Sequence, residues 1–254
     1  MLALLAKVGR LLPHGWGDAG RQLGLFVLAE LSYETVRGVA EGQRAEALAN
    51  AASITSFERS THTFFEPDLQ AALLNHQWII DVANFLYMNS HFVVTTAFLV
   101  WLYLFRNPSF YFVRNMFLVA MGLALVGYTL VPTAPPRLFP EDGFVDTITA
   151  YAQVNHDSGL VKLFVNPYAA VPSMHCAFAL MIGISGALIS RHAVTRAFWC
   201  VYPLLVFFVV VVTANHYWVD VAAGALVAAL AALTARQVLA RFRPAVWSFR
   251  PATA

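Results

Sequence analysis

Residues 197–220 read AFWCVYPLLVFFVVVVTANHYWVD. Residues 197–214 of that stretch carry no charged side chain. Such a run is close to the roughly 20 apolar residues that a helix needs to cross a lipid bilayer. Asn215-His216 then interrupts the apolar sequence, and Tyr217 opens a further apolar run to about Leu239. Two membrane helices joined by a tight polar turn follow from this pattern. The turn puts His216 near a membrane surface and Asp220 at the head of the second helix.

Working outward, the same criterion gives further spans at Ala170–Ser190, Phe110–Val131 and within Trp78–Phe105. A polar first span is expected over Leu23–Val39, which holds Glu30, Glu34 and Arg37. An amphipathic helix lying on the membrane is the other reading of that segment. Residues 41–77 are too polar to span and suit one or two interfacial helices. In the second span Asp81, Asn84, Asn89 and His91 need protein or water beside them, because polar groups are costly in lipid. Gly122 and Gly127 on the third span suit close helix contact. Between the third and fourth spans, residues 132–140 contain four prolines, which rule out a regular helix. The chain is 59% hydrophobic and 12% charged, against about 25% charged residues in soluble domains. The expected fold is therefore all-α, an integral membrane bundle of about six transmembrane helices forming one domain over 1–254. Residues 1–77 supply the first span and the interfacial helices, 78–240 the core, and 241–254 a tail.

Charge sets the orientation. With the N-terminus inside and six spans, the inner segments hold 11 of the 16 Lys and Arg, as the positive-inside rule requires. Both termini are then cytoplasmic. The Arg137 loop, the start of the fourth span and the His216 turn all reach the outer face. A net charge of +2 gives no reason to expect a nucleic-acid partner. Cys176 and Cys200 both lie in apolar runs and do not make a disulfide framework.

His216 and Asp220 are four residues apart and share a helix face. A carboxylate there accepts a hydrogen bond from one ring nitrogen, fixes the tautomer and directs the other nitrogen outward. That suits a nucleophilic histidine, although H-x-x-x-D alone is more readily read as a structural pair. In Pro172-Ser173-Met174-His175, Pro172 and Ser173 are helix-start residues, and free amides at such an end attract anions. Arg137, on the proline loop, offers a guanidinium suited to phosphate oxygens. A capped helix with a chance His, and an interfacial Arg, are the plainer readings of these two. Asn166, Asn215 and Tyr217 flank the motifs as candidate pocket residues. His62, His76, His91 and His156 have no partner at a telling spacing.

P-S-M-H at 172–175, H-Y-W-V-D at 216–220 and A-P-P-R-L-F-P at 134–140 together resemble the type 2 phosphatidic acid phosphatase superfamily. That family's motifs are K-x6-R-P, P-S-G-H and S-R-x5-H-x3-D, in this order. The resemblance covers roughly residues 80 to 240. Met174 replaces the Gly of the second motif, Leu130 and Leu138 replace the Lys and Pro of the first, and Val209-Val210 replace Ser-Arg of the third. The losses resemble the inositol phosphorylceramide synthase and sphingomyelin synthase branch, which transfers phospho-headgroups between lipids. The resemblance implies a lipid phosphatase or phosphotransferase, and the charge-based orientation puts its site at the outer face of the plasma membrane. It implies catalytic residues His216 (attack, giving a phosphohistidine), Asp220 (orienting it) and His175 (proton transfer), with Arg137 and the Ser173 region on the phosphate. It implies no metal and no other cofactor, and as partners a lipid phosphate and the surrounding membrane lipids.

Two other classes compete. A membrane haem or metal protein would pair histidines inside the bilayer, whereas His175 and His216 sit at helix starts on one side. A transporter would break helices at mid-membrane, whereas the prolines gather in a loop.

Overall fold

The computed structural model describes residues 9–39, 43–152 and 168–242. Asn166, His156 and the tail beyond residue 242 lie outside them. The described chain is helical throughout, apart from turns and a single isolated bridge between Thr133 and Ala169. The main helices in chain order are α1 (Gly15–Val39), α2 (Arg44–Ser60), α3 (Glu66–Leu74), α4 (Gln77–Phe85), α5 (His91–Phe105) and α6 (Asn107–Leu130). They continue with α7 (Thr147–Ala152), α8 (Met174–Ile189), α9 (Ala193–Val212) and α10 (Trp218–Thr234).

Among the described residues, α6, α9 and α10 with its continuation to Phe242 are long and apolar enough to cross a membrane. A fourth span arises if α4 and α5 are taken together across their 48° bend. That bend coincides with a π-helical turn at Leu86–Ser90, a common cause of sharp kinks. The expectation of about six spans thus becomes three to four by length and composition. The other two expected positions hold α8 and α1. α8 is apolar but only 16 residues long, about 24 Å at 1.5 Å per residue, because residues 170–173 are drawn into the loop that builds the site. α1 has the length, at 25 residues, but carries charges along it.

α8 lies at the centre and packs on α9, α10, α6 and α5. Small residues let it approach. A Cβ on Gly183 would stand 2.6 Å from Pro203 Cγ of α9, and one on Gly224 of α10 would stand 2.3 Å from the Ser173 carbonyl oxygen. Of the two glycines expected to make contacts on α6, Gly127 does so, with a built Cβ 2.7 Å from Pro172 Cδ, while Gly122 faces open space.

The polar end of the bundle is closed by the proline loop and by α2 and α3. As the prolines require, the loop forms only two short 3-10 turns, Pro136–Leu138 and Pro140–Asp142. Backbone bonds stitch it to three other segments: Ala134 N–H to the Ala47 carbonyl (3.1 Å), Thr133 N–H to the Tyr168 carbonyl (2.8 Å) and Arg137 N–H to the Ala214 carbonyl (2.8 Å). Ala47, Ala51, Ala134, Phe139, Phe144, Ala214 and Tyr217 form a small second core beneath this cover.

Candidate active site

The turn between α9 and α10 presents His216. Its backbone is held by Val210, whose carbonyl accepts the amides of both Asn215 (3.0 Å) and His216 (3.2 Å). His216 Nδ1 lies 3.3 Å from Asp220 Oδ2, with the histidine 5% exposed and the aspartate 0%. The same Oδ2 accepts the Tyr217 amide at 3.0 Å. Asp220 therefore fixes the ring from the first turn of α10 and turns Nε2 away from the carboxylate. The i, i+4 pairing read from the sequence is realised as a contact.

His175 enters from the first turn of α8. Its ring centroid is 6.0 Å from that of His216, close enough for one tetrahedral group to touch both. On its other side it stacks on Tyr87, with centroids 4.4 Å apart and planes 18° from parallel. Tyr87 comes from the π-helical turn, which explains why sequence periodicity did not single it out. Beyond His175 opens a cleft of about 200 Å³ lined by Leu86, Tyr87, Val94 and the face of α9 from Phe198 to Val210. Apart from His175 and two tyrosines, its lining is entirely hydrocarbon or phenyl. Val209 and Val210, which stand where the resembled motif carries Ser-Arg, are part of this apolar wall.

Ser173 joins the two motifs. Its amide donates to the Asp220 carbonyl at 3.0 Å, and its hydroxyl oxygen accepts the Cys176 amide at 3.5 Å as the N-cap of α8. Arg137 reaches the same turn: its guanidinium donates to Asn215 Oδ1. Asn215 is held in turn by the Thr213 carbonyl and hydroxyl. Thus His175, His216, Asp220, Arg137, Ser173 and Asn215 are brought together. Tyr217 points elsewhere: its ring is wholly buried in the second core, edge-on to Phe144 at 6.2 Å.

Two acids escaped the sequence reading as site components. Glu58 and Glu66 are both 0% exposed and take the amides of Val219 (3.3 Å) and Trp218 (2.9 Å) at the head of α10. A signal existed for the first. Ala47, Ala51, Thr55 and Glu58 are the buried residues of α2, a stripe of small side chains at helical spacing that ends in a carboxylate.

Among the described residues no group of three His, Cys, Asp or Glu is arranged to hold a metal ion. A model of the PAP2 superfamily matches residues 52–234, from within α2 to the end of α10. The match takes in every site residue above and leaves α1 outside. No curated protein and no solved structure matches the chain significantly.

Proposed function

The chain belongs to the PAP2 superfamily of phosphatase-type enzymes, and on that premise we propose that it is a membrane phosphoesterase cleaving a lipid phosphate ester. One observation carries the lipid assignment. His175 stands at the joint between the His216–Asp220 pair and the apolar cleft, where the oxygen linking phosphorus to a hydrocarbon chain would lie.

In this reading His216 Nε2 attacks phosphorus while Asp220 holds the Nδ1–H and balances the charge that develops on the ring. The P–O bond to the lipid breaks, and His175 delivers its proton to the departing alkoxide. His175 then takes a proton from water or from an acceptor hydroxyl, whose oxygen displaces His216 from phosphorus. Arg137 and the N-terminal turn of α8 hold the phosphoryl oxygens. Ser173 serves that grip by capping the turn and tying it to Asp220. The chemistry needs no metal and takes place at the outer face of the plasma membrane.

A second reading is headgroup transfer, of the inositol phosphorylceramide synthase type. It is favoured by the cation count at the site. Leu130 and Val210 stand where the resembled motifs carry Lys and Arg, so Arg137 faces the phosphate with little help. A phosphodiester, with a single charge, asks less of such a site than a monoester with nearly two.

The test is incubation of the purified protein in detergent, without added metal, with a panel of lipid phosphates and phosphodiesters beside His216→Ala. Phosphate released from a monoester and lost in the variant supports hydrolysis. A new phospholipid with little free phosphate supports transfer. Identical behaviour of the two proteins over the panel would remove the catalytic reading.

A further inference from the structure

The N-terminal end of α10 is filled from within the protein. A helix start leaves its first amides without intrahelical acceptors and carries a partial positive charge. Three consecutive amides here, those of Tyr217, Trp218 and Val219, each end on a carboxyl group from a different element. Tyr217 donates to Asp220 Oδ2 at 3.0 Å, Trp218 to Glu66 Oε1 at 2.9 Å and Val219 to Glu58 Oε1 at 3.3 Å. Glu66 Oε2 also accepts the Phe65 amide at 3.0 Å, and Trp218 Nε1 donates to Thr63 Oγ1 at 3.1 Å. The last turn of α2, the first of α3 and the link between them are thus clamped onto the segment that carries His216. Glu58 Oε2 and Asp220 Oδ1, both buried, meet no donor among the described residues.

We propose that Glu58 and Glu66 are positioning residues for the phosphoryl transfer, holding the Val219 and Trp218 amides so that the His216–Asp220 pair stays in register with His175. The inference rests on the reading of His216 as nucleophile. Neither acid touches a reacting atom. They do not form a cation site either, since no metal-holding cluster exists among the described residues.

The crowding of acids gives the clamp a pH signature. Burial, and next to it the Glu66 carboxylate, push the Glu58 carboxyl up to about 9, and burial raises Glu66 as well. The titratable groups facing Glu58 are Glu66 on α3 and Asp220 on α10. His216 and the Tyr217 phenol stand beyond them on the same turn, and Arg59 is turned to Asp142 at the surface. At neutral pH Glu58 is therefore protonated, which keeps a further charge from this buried cluster. The sign follows from the raised value. The folded protein holds this proton more tightly than the unfolded chain, so the stability it contributes is full below the ordinary carboxylate range. That stability drains as pH rises toward about 9, above which the ionised pair repels and the clamp loosens.

Orthovanadate, which mimics the five-coordinate phosphorus of phosphoryl transfer, is a probe that needs no knowledge of the lipid. Its affinity is measured from about pH 6 to about pH 11 for wild type, Glu58→Gln, Glu58→Ala, Glu66→Gln and His216→Ala, with melting temperature recorded for each. Gln at 58 keeps the amide acceptor and stays neutral. The expected result is loss of wild-type affinity through about pH 9, with the ratio of Glu58→Gln to wild type rising about tenfold over that limb. The ratio cancels the ionisation of vanadate itself. Glu58→Ala binds about tenfold more weakly at neutral pH, and Gln at the same position restores it. Glu66→Gln, which offers one acceptor oxygen where two amides need one each, also loses about tenfold. Parallel profiles for wild type and Glu58→Gln overturn the proposal, even if Glu66→Gln fails to fold. Undiminished binding by His216→Ala overturns the nucleophile reading beneath it, a result distinct from parallel Glu58 profiles with His216→Ala inactive.

Discussion

The Ser173 amide donates to the Asp220 carbonyl at 3.0 Å, so the loop that presents one histidine is bonded directly to the residue that orients the other. The bond is short because α10 carries no side chain where it passes Ser173. A Cβ on Gly224 would lie 2.3 Å from the Ser173 carbonyl oxygen. The 6.0 Å separation of the two imidazoles is thus set by a backbone contact, one helical turn below the chemistry.

Gly224→Ala is therefore expected to push α8 and α10 apart. Overpacking of this kind costs about 1–3 kcal/mol, and a shift of a few tenths of an ångström between His175 and His216 lowers kcat more than it raises KM. Gly122→Ala is the matched control. Gly122 faces open space, and Ala in a helix interior gains about 0.5–1 kcal/mol over Gly. Melting temperatures and kcat of the two variants, measured side by side, check both expectations. Equal kcat in the two would remove the spacing argument.

The roles of the two histidines are separable by leaving group. His216→Ala and Asp220→Asn should lower turnover of every substrate, by between about a hundredfold and ten-thousandfold, since attack and the orientation of its ring are needed throughout. His175→Ala should cost a similar factor with an alkyl phosphate but much less with a nitrophenyl phosphate, whose leaving group needs no proton. The ratio of the two rates in His175→Ala against wild type is the measurement. An unchanged ratio would assign His175 to binding alone.

The helical bundle was readable from apolar run length, and the pairing of His216 with Asp220 from spacing alone, because both are local properties of one helix. The juxtaposition of Arg137, His175 and His216 at one end was legible from the alternation of spans. What the sequence hid was set by contacts distant in the chain. Glu58 looks like any charge on an interfacial helix until α10 is seen ending against it. Tyr87 meets His175 through a π-helical turn that no periodicity announces. Arg114, counted among the inner surface charges, is 9% exposed and bonded to Gln22 and Asn115. By length and composition three to four spans stand out, because α8 gives up its first residues to the loop and α1 carries charges along its length.

If the apolar cleft takes the hydrocarbon chain of the substrate, narrowing its rim should discriminate by chain length. Leu205 lines the cleft and is 42% exposed, so Leu205→Trp can be accommodated without disturbing the core. KM for a long-chain lipid phosphate in mixed micelles is expected to rise about tenfold. A nitrophenyl phosphate, which has no chain to place, should keep its KM. A parallel change in both would mean that the substitution acts on the site and not on the chain.

Asp18 of α1 binds this helix to the bundle at the end opposite the site. It accepts from Tyr103 Oη at 3.0 Å, Tyr111 Oη at 3.3 Å and Gln22 Nε2 at 3.0 Å, while Arg114 donates to Gln22 Oε1 at 2.6 Å. Asp18→Ala leaves two phenol hydroxyls and an amide without their acceptor, each worth about 1–3 kcal/mol where water cannot replace it. The melting temperature in detergent should fall by several degrees. Because α1 lies outside the family match and far from His216, kcat at a temperature where the variant remains folded should stay at the wild-type value. A selective fall in kcat would instead make α1 part of the catalytic unit.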